Sequence, residues 1–177
     1  NRWYHFDMAK YRGHYYSPKE SKMREIKAVV LHCTATPADR VLTVKEIRGW
    51  HVIERGWADI GYHFIIHQDG TIEKGRHIDK IGAHTWGNNY GSIGVAYCGG
   101  VVKKVKKSLD KEKPKSKTTF VSKDTMTKEQ QSSFRNLFEI LEVMFGELKL
   151  TGHNDHNKAK DCPAFNMRDK FGDLINR

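Results

Sequence analysis

The stretch Lys27-Ala-Val-Val-Leu-His-Cys33 decides how the chain is read. Between Ala28 and Leu31 it offers only apolar side chains, several of them β-branched. Such a run reads as a strand buried on both faces, the kind that lies inside a sheet covered by helices. Successive side chains point to opposite faces of a strand, so His32 and Cys33 diverge. If His32 faces a site, Cys33 faces the core.

Working outward, Thr43-Val-Lys-Glu46 is a capping box, the start signal of a helix. Behind it Ile47, Trp50, Ile53 and Trp57 recur at near-helical spacing, which predicts an amphipathic helix. Tyr62 to Gln68 reads as a strand, Asp69-Gly70 as a two-residue turn of type I′, and Thr71 to Gly75 as the returning strand. Ser92 to Cys98 is a further apolar strand, ended by Gly99-Gly100. Thr127-Lys-Glu-Gln130 is a second capping box, after which Phe134, Leu137, Phe138, Leu141, Met144 and Phe145 mark one helix face up to the stop at Gly146. Leu148 to Gly152 reads as a short strand, and Pro163 introduces a last helix through Phe165 to Leu174. This alternation predicts an α/β fold: a single domain with a mixed central sheet flanked by helices.

Two segments stand outside that pattern. Residues 1–25 form a basic, aromatic arm with Trp3, Tyr4, Phe6, Tyr11, Tyr15 and Tyr16 among Lys, Arg and His. Within the main unit, residues 26–177, the stretch Val102 to Lys123 is crowded by Lys103, Lys104, Lys106, Lys107, Lys111, Lys113, Lys115 and Lys117. It reads as a solvated loop inserted into the domain.

A length of 177 residues suits one domain with its own core. The formal net charge of +10 favours polyanionic partners, among them nucleic acid, anionic lipid and bacterial envelope polymers, without choosing between them. No run approaches the roughly eighteen apolar residues of a membrane span. No secretory leader is visible, but the chain begins at Asn1 and not Met, so this says little about compartment. The odd count of 3 cysteines argues against a disulfide framework, and a Cys33–Cys98 bridge would leave Cys162 free.

The segment Gly152-His-Asn-Asp-His-Asn-Lys-Ala-Lys-Asp-Cys-Pro163 concentrates His153, His156 and Cys162 in one irregular loop between a strand and a helix. Imidazole nitrogen and thiolate sulfur are ligands that zinc prefers, and two histidines with one cysteine leave a fourth position open, as a catalytic zinc requires. Taken alone, His32 reads as a structural histidine and His156 as a solvated loop residue.

Several stretches carry a specific resemblance. They are Val29-Val-Leu-His-Cys-Thr-Ala-Thr36; Gly61-Tyr-His-Phe-Ile-Ile66 with Asp69-Gly70-Thr71 and Gly75-Arg76; Ala83-His-Thr-Trp-Gly-Asn-Asn89 with Ser92-Ile-Gly94; and His153 with Lys160-Asp-Cys-Pro163. In this order they resemble the zinc-dependent N-acetylmuramoyl-L-alanine amidases of type 2, which include phage lysozymes of the amidase type and animal peptidoglycan recognition proteins. The resemblance implies their fold, hydrolysis of the amide between N-acetylmuramic acid and L-alanine, and one zinc ion per chain held by His32, His153 and Cys162. It implies assistance in catalysis from Tyr62 and Lys160, and a substrate groove lined by His84, Thr85 and Asn89. The expected partner is peptidoglycan or a muropeptide, met by a monomer at the bacterial cell wall. That places it in the periplasm or outside the cell, or in the cytoplasm until lysis if phage-encoded. Nucleic acid is not expected, since no Cys/His finger spacing or RNP-like aromatic motif accompanies the charge. A non-catalytic peptidoglycan-binding protein and an amidase with an additional protein partner are the alternatives; Cys162, typically missing from non-cutting relatives, favours hydrolysis.

Overall fold

The computed structural model describes residues 24–107 and 116–175. The first 23 residues of the expected arm lie outside them. Strand β1 (Ala28–Cys33) lies inside a five-stranded sheet, between the middle strand β5 (Ser92–Tyr97) and the edge strand β8 (Lys149–Gly152), parallel to both. β3 (Phe64–Ile66) runs parallel to β5, and β4 (Ile72–Lys74) returns antiparallel to β3. The sheet is therefore mixed, as the alternation predicts.

Alternation along the strands sorts two cores. Val29, Leu31 and Cys33 of β1 join Ile93, Val95 and Tyr97 of β5 in the larger one. There they meet Phe134, Leu137, Phe138 and Leu141 of helix α2 (Lys128–Phe145) and Met167, Phe171 and Leu174 of helix α4 (Met167–Ile175). Each such side chain contributes about 1.5–3 kcal/mol by leaving water. On the other face Ile65, Ala96 and Cys98 pack with Val44 and Ile47 of helix α1 (Val44–Gly49). All three cysteines are free.

Both capping boxes form. Thr43 Oγ1 accepts the Glu46 N–H and Glu46 Oε2 accepts the Thr43 N–H; Thr127 and Gln130 repeat the exchange. Gln130 also donates to the carbonyls of Ile66 and Cys98, at 3.1 and 3.0 Å, which ties the start of α2 to the ends of β3 and β5. Gly146, at φ +86°, closes the helix by donating to the Glu142 carbonyl.

Five local expectations are revised. The hairpin turn at Asp69-Gly70 is not type I′, which needs positive φ at both residues: only Gly70 has it, at +83°. The Gly70 N–H reaches the His67 carbonyl and the His67 N–H reaches that of Thr71, so the loop is a type I turn closed by a glycine bulge. The stripe behind Thr43 stops early, because α1 passes into a π-helical turn at Trp50–Glu54. Its wider i→i+5 spacing carries Ile53 outward, 83% exposed, and His51 inward. Along α2 the face is fully buried to Leu141; beyond it Phe145 still packs half-buried against the core, while Met144 is exposed.

The lysine-rich stretch is not a loop in its described parts. β6 (Gly100–Lys107) and β7 (Ser116–Ser122) form an antiparallel ladder, and β6 also pairs with β2 (Thr36–Pro37) in a second sheet. The physical reason is that Val101, Val102, Val105, Thr118, Thr119, Phe120 and Val121 are strand formers, and lysine tolerates the solvent faces of such a ribbon while discouraging edge pairing. Lastly, the final helix begins at Met167, not at Pro163, where Asn166 Oδ1 accepts the Arg168 N–H as an N-cap residue does.

Candidate metal centre

β1 and β8 lie side by side with Leu31 opposite Gly152. The next residues along each chain are His32 and His153, so parallel pairing alone makes the two rings neighbours, with centroids 4.7 Å apart. They stand at the carboxyl ends of the strands, where open α/β sheets place their ligands. His153 opens a single helical turn, α3 (His153–His156), within the segment expected to be irregular.

Cys162 returns to this point through a pinned loop. The Asn154 N–H donates to the Cys162 carbonyl at 2.8 Å, Asn154 Nδ2 to the Phe165 carbonyl at 3.2 Å, and the Tyr97 hydroxyl to the Pro163 carbonyl at 2.7 Å. The Cys33 N–H donates to Cys162 Sγ at 3.1 Å while the Cys33 side chain packs in the core, as strand alternation requires. Cys162 Sγ lies 3.7 Å from His32 Nδ1, and the ligand atoms of His32, His153 and Cys162 all fall within 4.8 Å of one another.

This donor set fits a zinc ion. Tetrahedral zinc at about 2.05 Å from nitrogen and about 2.3 Å from sulfur separates those two atoms by roughly 3.6 Å. Burial, reinforced by His84, His153 and His156, holds the His32 pKa well below the ordinary range of histidine, and burial with Lys160 and His156 lowers that of His153. Both rings are thereby kept in the neutral form that binds metal. Hydrogen bonding with Cys33, then burial, pushes the Cys162 thiol far up, so coordination has to expel its proton.

The other expected site residues fall into two groups. Tyr62 lies beside the ligands, its ring 5.2 Å from that of His32. Burial, then the nearby Cys162 and Cys33, pushes its hydroxyl well above its ordinary range. Lys160 is exposed on the same loop as Cys162 and close enough to act on His153. His84 and Thr85, expected in a substrate groove, are instead buried behind His32, 7% and 2% exposed. His84 Nδ1 lies 3.1 Å and Thr85 Oγ1 3.3 Å from His32 Nε2, the nitrogen turned away from Cys162. Asn89 Oδ1 accepts both of their backbone N–H groups, at 2.9 and 2.8 Å, so Asn89 shapes the loop that carries them. His156 stays outside the cluster, with Nε2 2.9 Å from Thr151 Oγ1.

Residue-by-residue reading passed over Asn154, which fastens the loop, and over two further buried histidines. His51 Nδ1 accepts the Gly61 N–H and His63 Nδ1 accepts the Gly94 N–H, at 3.0 and 2.9 Å. Each ring keeps a bare nitrogen there and is neutral. Burial, then Arg55 and Arg76, lowers His51 to about 4; burial above all lowers His63 to about 4, with Arg24 and Arg76 acting in the same sense against the Lys80 carbonyl bond.

A mixed sheet with a His/His/Cys cluster at the carboxyl end of its parallel strands, a half-buried tyrosine and an exposed lysine is the arrangement of a hydrolase site able to hold a metal ion. The family model described as N-acetylmuramoyl-L-alanine amidase matches residues 22–165, and the chain belongs to that family. An endolysin of Klebsiella phage KP32 is 36% identical over 148 residues, 84% of this chain and 87% of its own length. The amidase LysC from Clostridium intestinale URNW superposes with a TM-score of 0.65 at 27% identity, covering 87% of this chain and 88% of its own. A peptidoglycan recognition protein LE, solved with tracheal cytotoxin, a monomeric diaminopimelic acid-type peptidoglycan, superposes with a TM-score of 0.60 at 26% identity over 79% of this chain and 75% of its own. The chain is thus a peptidoglycan amidase of the N-acetylmuramoyl-L-alanine type. Among the described residues no helix is long and apolar enough to cross a membrane.

Proposed function

We propose that this amidase works with one zinc ion per chain, held by His32, His153 and Cys162, with Tyr62 and Lys160 assisting at the scissile amide. The observation that carries the reading is the convergence of three neutral or ionisable N and S donors within 4.8 Å, with one nitrogen–sulfur pair at 3.7 Å. The muropeptide held by the recognition protein supports a substrate of the same chemistry here.

An amide resists hydrolysis because its carbonyl is a weak electrophile and its amine a poor leaving group. Zinc at this position supplies Lewis-acid polarisation of that carbonyl and acidifies a water molecule. Tyr62 keeps its proton, since burial holds its hydroxyl far above neutral pH. It therefore acts as a hydrogen-bond donor that orients water or substrate, not as a base. Lys160, beside His153 and two residues before Cys162, brings a positive charge to the oxyanion that develops on the carbonyl. One well-placed donor of this kind is worth about 3–4 kcal/mol. His84 and Thr85 belong to this reading as supports of His32 and not as groove residues, because they are buried.

The test is elemental analysis of the purified chain together with release of free stem peptide from purified walls, with a Cys162→Ser variant alongside. Stoichiometric zinc and turnover in the wild type, and loss of both in the variant, are expected. Zinc content and turnover in the variant equal to the wild type would sink the assignment. Unchanged turnover in Tyr62→Phe at normal zinc content would remove Tyr62 from the mechanism.

A further inference from the structure

We propose that Ser92 and His84 are positioning residues that hold His32 in its Nε2–H tautomer, so that Nδ1 is the bare nitrogen offered to the metal. This rests on the reading of His32 as a ligand and adds what fixes its orientation.

The direction of the hydrogen bonds can be followed from one end. Ser92 Oγ lies 2.6 Å from the Asn88 carbonyl. A carbonyl has no proton, so the Ser92 hydroxyl donates there. Its lone pair then faces His84 Nε2 at 3.4 Å and accepts from it. A neutral His84 with its proton on Nε2 has a bare Nδ1. That nitrogen lies 3.1 Å from His32 Nε2, which must therefore be the donor. Thr85 Oγ1, 3.0 Å from His84 Nδ1 and 3.3 Å from His32 Nε2, closes the same triangle. With its proton on Nε2, His32 has a bare Nδ1, and this is the atom 3.7 Å from Cys162 Sγ. The carbonyl at the far end sets the sense of the whole chain, because it can only accept.

The place for His84 is built into the backbone. Ser92 and Gly94 alternate along β5 with the core residues Ile93 and Val95, and so share the face of His32 on the adjacent β1, whose partner in register is Ala96. A Cβ on Gly94 would lie 2.5 Å from His84 Cγ, and one on Gly82 2.5 Å from His84 Cδ2. Real Cβ atoms do not approach so closely, so both glycines clear the space that the ring fills. Asn89 fixes the chain on either side of the ring by accepting the N–H groups of His84 and Thr85. A metal-binding histidine whose second nitrogen donates to a fixed acceptor has its tautomer and ring plane set in advance, and loss of such a partner typically weakens metal affinity by about 10–100-fold.

Two measurements on the full chain test this. In metal-free protein with 15N-labelled histidine at neutral pH, two-bond 1H–15N correlations distinguish bare from protonated ring nitrogens; His32 and His84 should both carry the proton on Nε2. A proton on Nδ1 of His32 overturns the proposal, whatever the zinc content. Zinc affinity is then measured by competition with a chromophoric chelator. Ser92→Ala and His84→Ala should each bind zinc about 10–100-fold more weakly than wild type. His84→Asn, whose Oδ1 falls near the position of Nδ1, should recover most of that loss. Wild-type affinity in His84→Ala, or no recovery in His84→Asn, overturns the proposal. If His84→Ala fails to fold, Ser92→Ala and the wild-type spectrum still decide. If the wild type takes up no zinc at all, the metal reading falls on its own, while the correlations still decide the tautomer.

Discussion

His32 and His153 stand 4.7 Å apart, yet they are held by different means. His32 belongs to a strand hydrogen-bonded on both sides, is 1% exposed, and has His84 and Thr85 behind it. His153 opens a four-residue helical turn, is half-buried, and shares its loop with exposed Lys158 and Lys160. One flank of the centre is sheet, the other is loop. The difference teaches that a donor cluster on an α/β sheet can divide its tasks. The sheet flank fixes its donor and closes it off from behind, while the loop flank stays open to solvent and carries the positive charge.

Four measurements break or sharpen this contrast. The largest effect is expected from the metal itself: stripping the ion with a chelator, or Cys162→Ser, should lower wall hydrolysis by about a thousandfold or more, with activity returning to the stripped wild type on adding Zn2+. Next, Lys160→Ala should cost about a hundredfold in turnover, the loss of one oxyanion-stabilising group, at unchanged zinc content. Lost zinc in that variant would mean that the loop flank also shapes the metal shell.

The third compares the flanks directly in metal-free protein by denaturant unfolding. His32→Ala should lose about 2–3 kcal/mol, since it opens a cavity and leaves the His84 ring without its partner. His153→Ala should lose less than about 1 kcal/mol, as for a partly exposed position. Equal losses would dissolve the distinction between the flanks.

The smallest effect concerns the histidines on the sheet side. His51 and His63 titrate at about 4 in the folded chain, against an ordinary value of about 6.5 unfolded. Between those values the unfolded chain takes up protons that the folded one refuses, so stability rises with pH. It is complete above about 6.5 and is lost as pH falls toward 4. Thermal unfolding at pH 4.5 should therefore begin lower than at pH 7. His51→Asn, which keeps an acceptor for the Gly61 N–H and removes the titrating ring, should flatten that slope; an unchanged slope would clear His51 of responsibility.

Much of this was legible in the sequence where local rules govern. The buried run from Ala28 to Cys33, both capping boxes and the stop at Gly146 depend on residues a few places apart. His32, His153 and Cys162 stand out because each sits in a stretch that resembles the family. The rest depends on pairing across the chain. Lysine content gave no hint of the β6–β7 ladder, since that ladder is decided by strand formers on the opposite strand. The resemblance alone puts His84 in a groove, whereas Gly82 and Gly94, which make room for its ring, only become informative once β5 lies beside β1. The outward turn of Ile53 follows from a change of helical pitch that no spacing of apolar residues announces.

The pairing of β1 with β8 has one more consequence. His32 and Cys162 are 130 residues apart in the chain; the register that aligns Leu31 with Gly152 sets His153 beside His32, and the loop behind it returns Cys162 to the same point. His32 is in place with β1, whereas His153 and Cys162 follow only near the far end of the chain. The cluster is therefore complete only once β8 has docked beside β1, and what disturbs that pairing disturbs the site.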